Sequence, residues 1–146
     1  MNTNTDNNLL DDWLSLNDIQ TKINNKLESA LEENYSLSLK EFYVLYFLSQ
    51  TSDKQLRLQQ LQEMVALSQS AISRLVDRME AKNCGALHRH VCEDDRRGVY
   101  TRLTELGEDK FKRALVTVNQ ILQTAYLEDG FQKELRTLIQ QTQKNE

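Results

Sequence analysis

The sequence contains no proline in its 146 residues and only four glycines, so very little in it interrupts a helix. Proline removes a backbone donor and clashes with the preceding helical turn, while glycine weakens helices through its backbone freedom. Leu, Gln, Glu and Lys, which favour helices, are abundant. We therefore predict a mainly α-helical protein, in one domain (1–146) long enough to bury a hydrophobic core.

Apolar residues recur at every third or fourth position in several stretches, which is typical of amphipathic helices. This spacing predicts a long N-terminal helix over about 8–34, a long helix that begins after Thr104, and a last helix over about 131–142. The residues "SLKE" (38–41) form a capping box, in which the Ser and Glu side chains each satisfy a backbone N–H group. A further helix is expected to begin there.

The middle of the chain predicts a helix-turn-helix unit. A short apolar-striped helix over about 59–65 is followed by a tight turn. Ser68 is a suitable N-cap for a second helix, which is expected to extend to about Lys82. Two short helices joined by a tight turn are the arrangement of many DNA-binding proteins.

Two segments that alternate between apolar and polar residues follow this unit, "LHRHVC" (87–92) and "VYTRLT" (99–104). Alternation is typical of half-buried strands, so a two-stranded ribbon, or β-wing, is predicted. The residues "LRL" (56–58) are long enough to add one strand rung. The connection "EDDRRG" (93–98) places a dense charge cluster at the tip of the ribbon, where Gly98 supplies backbone freedom.

The net charge of −4 is distributed unevenly. Residues 68–103 include seven basic and five acidic side chains, a net charge of +2, and the remainder of the chain is therefore at −6. A basic segment in an acidic protein indicates a nucleic-acid surface that depends on placed contacts rather than on bulk attraction.

The second helix of the helix-turn-helix has one apolar face and one face of hydroxyls, amides and arginines. Such groups suit base edges in the major groove, and recognition helices read DNA with their N-terminal residues. The predicted DNA contacts on this helix are Gln69, Ser70, Ser73, Arg74 and Arg78. A solvated helix face that binds nothing is the alternative.

The ribbon adds further predicted contacts. Arg96 and Arg97 at its tip can reach a narrow minor groove, and Asp95 lies close enough in sequence to orient Arg97. Arg89, on the first strand, is expected to contact the DNA backbone together with Arg78. The alternative is an exposed hairpin with incidental ion pairs, which contribute little to stability.

The segments "LSQSAISRLVDRME" and "GALHRHVCEDDRRGVYTRLTELGEDKF" resemble the MarR/SlyA family of bacterial winged-helix regulators. The similarity includes a recognition helix, a glycine-hydrophobic turn, a D-x-R wing tip and an "LT..G" entry to the next helix. The matching residues are Val76 to Glu80, Gly85 to Leu87, Asp95 with Arg97, and Leu103, Thr104 and Gly107.

The resemblance implies a homodimer that reads a pseudo-palindromic operator in double-stranded DNA. It implies a winged helix-turn-helix lobe over about 38–104 and dimerisation helices over about 8–34 and 104–143. The terminal helices also have more apolar surface than one lobe can cover, which independently favours a partner. A small aromatic effector is implied where lobe and dimer helices meet, and its candidate pocket residues are Trp13, Phe42, Tyr43, Tyr46 and Phe47. Plain core packing is the alternative for these aromatics.

Cys84, His88, His90 and Cys92 lie close together in the sequence. A zinc site requires a tetrahedral ligand set, but His88, His90 and Cys92 would lie nearly in line on one strand face. No metal and no cofactor are therefore predicted. Cys84 is a candidate redox sensor, and the alternative is an ordinary, partly buried cysteine.

Motifs of enzymes and membrane proteins are absent. The sequence has no Gly-rich phosphate loop, nucleophile elbow or H-E-x-x-H motif, no apolar run near the ~20 residues of a membrane span, and no recognisable signal peptide. The predicted function is a cytoplasmic, dimeric DNA-binding transcriptional regulator, more specifically a repressor modulated by a small ligand or by thiol oxidation. A helical protein-protein adaptor that uses a winged-helix scaffold is the alternative.

Overall fold

The structure is a computed structural model that describes residues 3–81, 84–91, 98–128 and 130–144. Six helices and three short strands make up these residues. In chain order they are α1 (Thr3–Tyr35), α2 (Leu39–Ser49), β1 (Gln55–Arg57), α3 (Leu58–Met64), α4 (Gln69–Glu80), β2 (Leu87–Val91), β3 (Val99–Leu103), α5 (Glu105–Glu128) and α6 (Phe131–Lys144). The predicted fold class, mainly α with a small β-wing, is confirmed.

The bounds of most elements differ from the prediction by only a few residues. Helix α4 ends at Glu80 rather than near Lys82, because the chain turns at Ala81. The backbone N–H groups of Cys84 and Gly85 both donate to the carbonyl oxygen of Ala81, at 2.9 and 2.8 Å. This turn directs the chain back along α4 and into the wing.

The chain divides into two compact units. The first, which we call the winged unit, is Leu31–Val116 and contains α2, α3, α4 and all three strands of the described residues. The second, the terminal-helix unit, consists of Met1–Ala30 and Thr117–Glu146. Helices α1 and α5 contribute residues to both units, and the whole of the predicted lobe over 38–104 falls inside the winged unit.

The winged unit has an apolar core to which each of its helices contributes. The capping box of α2 forms as predicted, with the Ser38 hydroxyl accepting from the Glu41 N–H at 3.1 Å and the Glu41 carboxylate accepting from the Ser38 N–H at 2.9 Å. These bonds satisfy two backbone donors that would otherwise lack partners at the helix start. The fully buried side chains include Leu37, Leu45, Leu48, Leu61, Ile72, Val76 and Met79.

The three strands form one antiparallel sheet in the order β1–β3–β2. Thr101 in the central strand is paired with Leu56 on one side and with Arg89 on the other. Successive side chains alternate between the two faces, so Leu87 and Leu103 are buried while their neighbours His88 and Arg102 are exposed. The single rung predicted at 56–58 is thus observed at Gln55–Arg57, and it pairs with the wing.

The "LT..G" residues connect the wing to α5. The Thr104 hydroxyl accepts from the Gly107 N–H at 3.0 Å, and it lies 2.6 Å from the carbonyl oxygen of Gly85. Gly107 is in contact with the backbone of Ala86, and a Cβ at this position would lie only 2.8 Å from the Leu103 side chain. The glycine in the motif is therefore required by close approach of the helix to the start of β2.

The terminal-helix unit presents apolar side chains on its surface. Ile23, Leu27, Val118 and Ala125 are buried. Other large apolar residues are exposed, and they include Leu10, Trp13, Leu14, Leu127, Leu135 and Ile139. Within the described ranges, no helix is both long and apolar enough to cross a membrane.

Candidate nucleic-acid interface

Helices α3 and α4 are joined by a turn of four residues, 65–68, whose geometry follows from their end signals. The N–H of Leu67 donates to the Gln62 carbonyl and the N–H of Ala66 to the Glu63 carbonyl, which is the Schellman pattern of helix termination. Ala66 has φ +55°, the left-handed conformation that this pattern requires. The Ser68 hydroxyl then accepts from the Ala71 N–H at 3.2 Å and caps α4. The predicted helix-turn-helix is present.

Helix α4 has the two faces that its sequence predicts. Ile72, Leu75, Val76 and Met79 are buried. On the opposite side Gln69, Ser70, Arg74 and Arg78 are exposed and Ser73 is half-buried. The five side chains proposed to contact DNA from this helix are therefore brought together on one accessible surface.

Arg89 lies in a different environment. Its guanidinium is 2.6 Å from a carboxylate oxygen of Asp77 and 3.1 Å from one of Glu80, and its backbone N–H also donates to Glu80. The charge of Arg89 is thus balanced by two acids on α4. Its DNA contact stays a prediction, but in the described residues Arg89 joins strand β2 to the recognition helix.

The Glu80 carboxylate of this cluster is held in its charged form. The hydrogen bond from the Arg89 backbone N–H lowers the pKa of the Glu80 carboxyl. Burial raises this pKa, and the Arg89 guanidinium and His88 lower it further. Burial disfavours the charged guanidinium, yet Glu80 and Asp77 hold the pKa of Arg89 above its ordinary value. The Arg89–Glu80 pair is consequently ionised at neutral pH.

Arg74 and Arg78 differ from Arg89 in having no acidic partner among the described residues. Within residues 3–81, 84–91, 98–128 and 130–144, no carboxylate forms an ion pair with either guanidinium. Helix α4 therefore carries compensated charge on the side of the wing and uncompensated positive charge elsewhere on its exposed face. An anionic ligand would be attracted to the second region.

The exposed face of the sheet carries a row of aromatic and cationic side chains, of which the sequence had singled out only the two histidines. Tyr100 accepts a hydrogen bond from Arg57 at 3.1 Å, and the Arg57 guanidinium lies 5.5 Å from the centroid of its ring. His90 stacks on Tyr100 at 5.8 Å, and His88 stacks on His90 at 6.5 Å. Strand register explains this row, because alternate residues of adjacent strands lie side by side.

Several predicted residues fall outside the described part of the chain. Asp95, Arg96 and Arg97 at the wing tip, and Cys92, are among them. Cys84 is described: it is half-buried, and its sulfur lies 4.0 Å from the Lys110 ammonium nitrogen. Among the residues with described positions, no group of three or more His, Cys, Asp or Glu side chains is placed to hold a metal ion.

The predicted effector-pocket aromatics are divided between the two units. Phe42 is buried in the winged unit, where its ring centroid lies 5.4 Å from that of Phe111, and Tyr46 lies 6.2 Å from the same ring. Tyr43 and Phe47 neighbour these rings on α2, at 6.3 Å from Phe42 and 5.5 Å from Tyr46. Trp13 is 56% exposed and belongs to the terminal-helix unit. Phe42 is thus a core residue.

A helix-turn-helix followed directly by a two-stranded wing defines a winged helix-turn-helix protein. Residues 26–114 match the family model described as "Transcriptional regulator SarA/Rot". The chain belongs to this family of transcriptional regulators. No curated protein matches the chain by sequence.

Solved structures of MarR family regulators are similar to this one. AbsC from Streptomyces coelicolor has a TM-score of 0.74 and 21% identity, over 92% of this chain and 93% of that chain. Sco3205 from the same organism, solved in complex with DNA, has a TM-score of 0.75 and 23% identity, over 91% and 84%. A further similar structure, the YusO protein from Bacillus subtilis, has a TM-score of 0.64 and 25% identity, over 94% of this chain and 96% of that chain. The predicted resemblance to MarR-type winged-helix regulators is confirmed, and the protein is a transcriptional regulator by family.

Proposed function

We propose that the protein is a sequence-specific repressor that binds double-stranded DNA as a homodimer. The observation that carries the proposal is the exposed face of α4, where Gln69, Ser70 and Ser73 lie beside two arginines that lack acidic partners in the described residues. Hydroxyl and amide groups suit hydrogen bonds to base edges, and arginine suits both guanine and phosphate. Sco3205, similar in fold, was solved with DNA bound.

In the proposed complex α4 lies in the major groove and the wing reaches the adjacent minor groove. Gln69, Ser70 and Ser73 contact base edges, and Arg74 contacts both base edges and phosphate. Arg96 and Arg97 enter the minor groove, with Asp95 orienting Arg97. The Arg89 network supports this arrangement, because it fixes the first wing strand against the reading helix.

A homodimer is supported by the exposed apolar residues of the terminal-helix unit. Leu10, Trp13 and Leu14 on α1 are each more than half exposed, as is Leu127 on α5. Such side chains are normally covered when they cluster on a protein surface. A dimer would present two recognition helices about 34 Å apart, which is one turn of DNA, and so would read a pseudo-palindrome.

Modulation by a small aromatic ligand or by oxidation of Cys84 is a further part of the proposal. Because Phe42 is buried against Phe111, the exposed aromatics Trp13 and Tyr46 are the better candidates for ligand contact. Cys84 is only partly exposed, and its sulfur lies 4.0 Å from the Lys110 ammonium nitrogen.

The wing assignment is tested with the Arg97→Ala variant and a duplex that the parent protein selects from a random pool. We expect mobility-shift titrations to show binding weaker by roughly 1–3 kcal/mol, the scale of one specific contact. The matched control is Arg136→Ala on α6, an exposed arginine with no proposed role. If Arg97→Ala binds the duplex as tightly as the parent protein does, the wing contact is refuted. If the parent protein itself shifts no duplex at low salt, the adaptor function is favoured.

A further inference from the structure

An open cleft lies between the start of α2 and the recognition helix. Its volume is about 380 Å³, and its lining residues are Ser38, Lys40, Leu67, Ala71, Arg74, Leu75 and Arg78. Three of these residues are basic and none is acidic. Arg74 and Arg78 are one helical turn apart on α4, so both guanidinium groups can approach the same point from one side. Lys40 approaches it from the other helix.

The balance of charge distinguishes this cleft from another on the winged unit. A larger cleft of about 580 Å³ also has three basic lining residues, Lys54, His88 and Arg102, but it includes Asp53, Glu105 and Glu108 as well. Lys54 and Glu108 form an ion pair there, at 2.5 Å. The cleft lined by Lys40, Arg74 and Arg78 has no acidic lining residue that would balance its positive charge. An anionic ligand would balance this charge.

The Lys40 side chain is already held in position. Its ammonium donates a hydrogen bond to the Val65 carbonyl oxygen at 2.6 Å, at the C-terminal end of α3. An ammonium group has three N–H donors, and this bond uses one of them. Because the long side chain is fixed before any ligand arrives, less side-chain entropy is lost on binding.

The position of the cleft relative to the reading face identifies the anion. Gln69 lines the groove next to Gly98 and Val99, and Asp77 bonds to Arg89, so both lie on the wing side of α4. Arg74 and Arg78 lie on the opposite side, toward α2. A helix inserted in the major groove is flanked by a sugar-phosphate backbone on each side, and contacts to that backbone set the register of the protein.

We infer that this cleft binds one backbone phosphate of the DNA, and that Lys40 is a DNA-contacting residue outside both the recognition helix and the wing. The inference rests on the proposed DNA-binding function. The phosphate oxygens accept hydrogen bonds from the Lys40 ammonium and from the two guanidinium groups. Base edges are contacted by Gln69, Ser70 and Ser73, and also by Arg74, whose guanidinium has enough donors for both. Lys40 therefore contributes affinity and register without sequence preference.

The test is the salt dependence of DNA binding by Lys40→Gln, in the full-length protein. Glutamine keeps an N–H donor for the Val65 carbonyl but removes the charge. The matched control is Lys112→Gln, which removes the same charge from an exposed position of α5. Binding is measured from 50 to 200 mM KCl with the selected duplex and with a mixed-sequence duplex, and thermal unfolding verifies that each variant is folded.

We plot the logarithm of the DNA-binding constant against the logarithm of the salt concentration. The slope of this plot is expected to be shallower for Lys40→Gln than for the parent, by about 0.9 for each lobe on the duplex or about 1.8 for a dimer. The affinity ratio of parent to variant then falls by about tenfold between 50 and 200 mM KCl when both lobes bind. The change is the same on both duplexes, and Lys40→Arg restores the parent slope.

The outcomes separate this inference from the proposed function. If the parent binds no duplex, the proposed function fails and the phosphate site fails with it. If the parent binds and Lys40→Gln has the slope of Lys112→Gln, only the cleft assignment is overturned. The cleft assignment is also overturned if Lys40→Gln and Lys112→Gln have the same salt slope while inorganic phosphate at millimolar concentration perturbs the NMR signals of the cleft residues. The cleft would then bind a free anion rather than a phosphate of the DNA.

Discussion

At the scale of single residues, neighbours decide what an arginine does. Arg89, on the wing, is balanced by Asp77 and Glu80 and connects two elements. Arg74 and Arg78, on the helix that holds those acids, have no carboxylate partner in the part of the chain that the structure describes. The same side chain is therefore structural in one position and available to an anion in the other.

The Glu80 carboxylate is expected to stabilise the folded state at neutral pH. Because its pKa is lowered on folding, the stabilisation is present above the ordinary value of 4.5 and is lost as the pH falls through the folded-state value. We predict that Glu80→Gln lowers the free energy of unfolding by about 1–2 kcal/mol at pH 7, since it removes charged hydrogen bonds at a partly exposed site.

Urea denaturation at one fixed protein concentration measures this effect. The difference between parent and Glu80→Gln should shrink as the pH falls from 4.5 through the lowered folded-state pKa of Glu80, where the parent carboxylate also becomes protonated. Asp77→Asn is the control, because Asp77 contacts only the guanidinium and should cost less. A difference that stays constant from pH 7 to pH 3 would show that charge is not the cause.

At the scale of elements, α4 serves the core and the surface at once. Its apolar stripe fixes its rotation in the winged unit, and its other face is thereby presented outward. The Thr104–Gly107 junction fixes the start of α5 against the base of β2. Reading helix and wing consequently move as parts of one packed body, as binding across two grooves requires.

We predict that Gln69→Ala changes sequence preference more than general affinity. Gln69 is the first residue of α4 and is exposed, the position from which recognition helices contact bases. Loss of a bidentate contact should cost about 1–3 kcal/mol on the selected duplex and little on a mixed-sequence duplex. Competition titrations with both duplexes measure the difference. Gln132→Ala on α6 is the control. If Gln69→Ala loses the same affinity on both duplexes, base reading by Gln69 is contradicted.

At the scale of the whole molecule, the two units present different surfaces. The winged unit carries the exposed polar and arginine face of α4, and the terminal-helix unit carries exposed apolar side chains such as Leu10, Leu14 and Ile139. The α4 face suits a charged polymer, and the apolar side chains suit a second copy of the chain, because apolar surface is stabilised by removal from water. In the proposed function, DNA binding and self-association therefore use separate units.

Leu14→Glu is predicted to convert the proposed dimer to a monomer. A charge without a partner in an apolar interface costs on the order of 3 kcal/mol, which raises the dimer dissociation constant by about a hundredfold. Sedimentation velocity at micromolar concentration measures the change. Ser15→Glu, at an exposed polar position of the same helix, should remain dimeric; unaltered sedimentation of Leu14→Glu would place the interface elsewhere.

Local periodicity made most of the fold predictable. The apolar spacing of α1, α4 and α5, the capping box at Ser38 and the alternation of β2 and β3 each depend on residues within a few positions of one another. The exposed face of α4 was predictable for the same reason, since the buried stripe of a helix determines which residues remain outside. Cap and turn residues likewise predicted where α4 begins.

The contacts that assign individual roles come only from the tertiary structure. Three hydrogen bonds join residues that are distant in the sequence. Arg57 and Tyr100 are 43 positions apart, Lys40 and Val65 are 25 apart, and Arg89 and Glu80 are 9 apart. Periodicity specifies which face of an element is buried but not which element covers it or which charge lies opposite. The sequence by itself therefore determined the helices, the wing and the reading face, whereas packing decided that Arg89 is neutralised and that Lys40 joins Arg74 and Arg78 around one cleft.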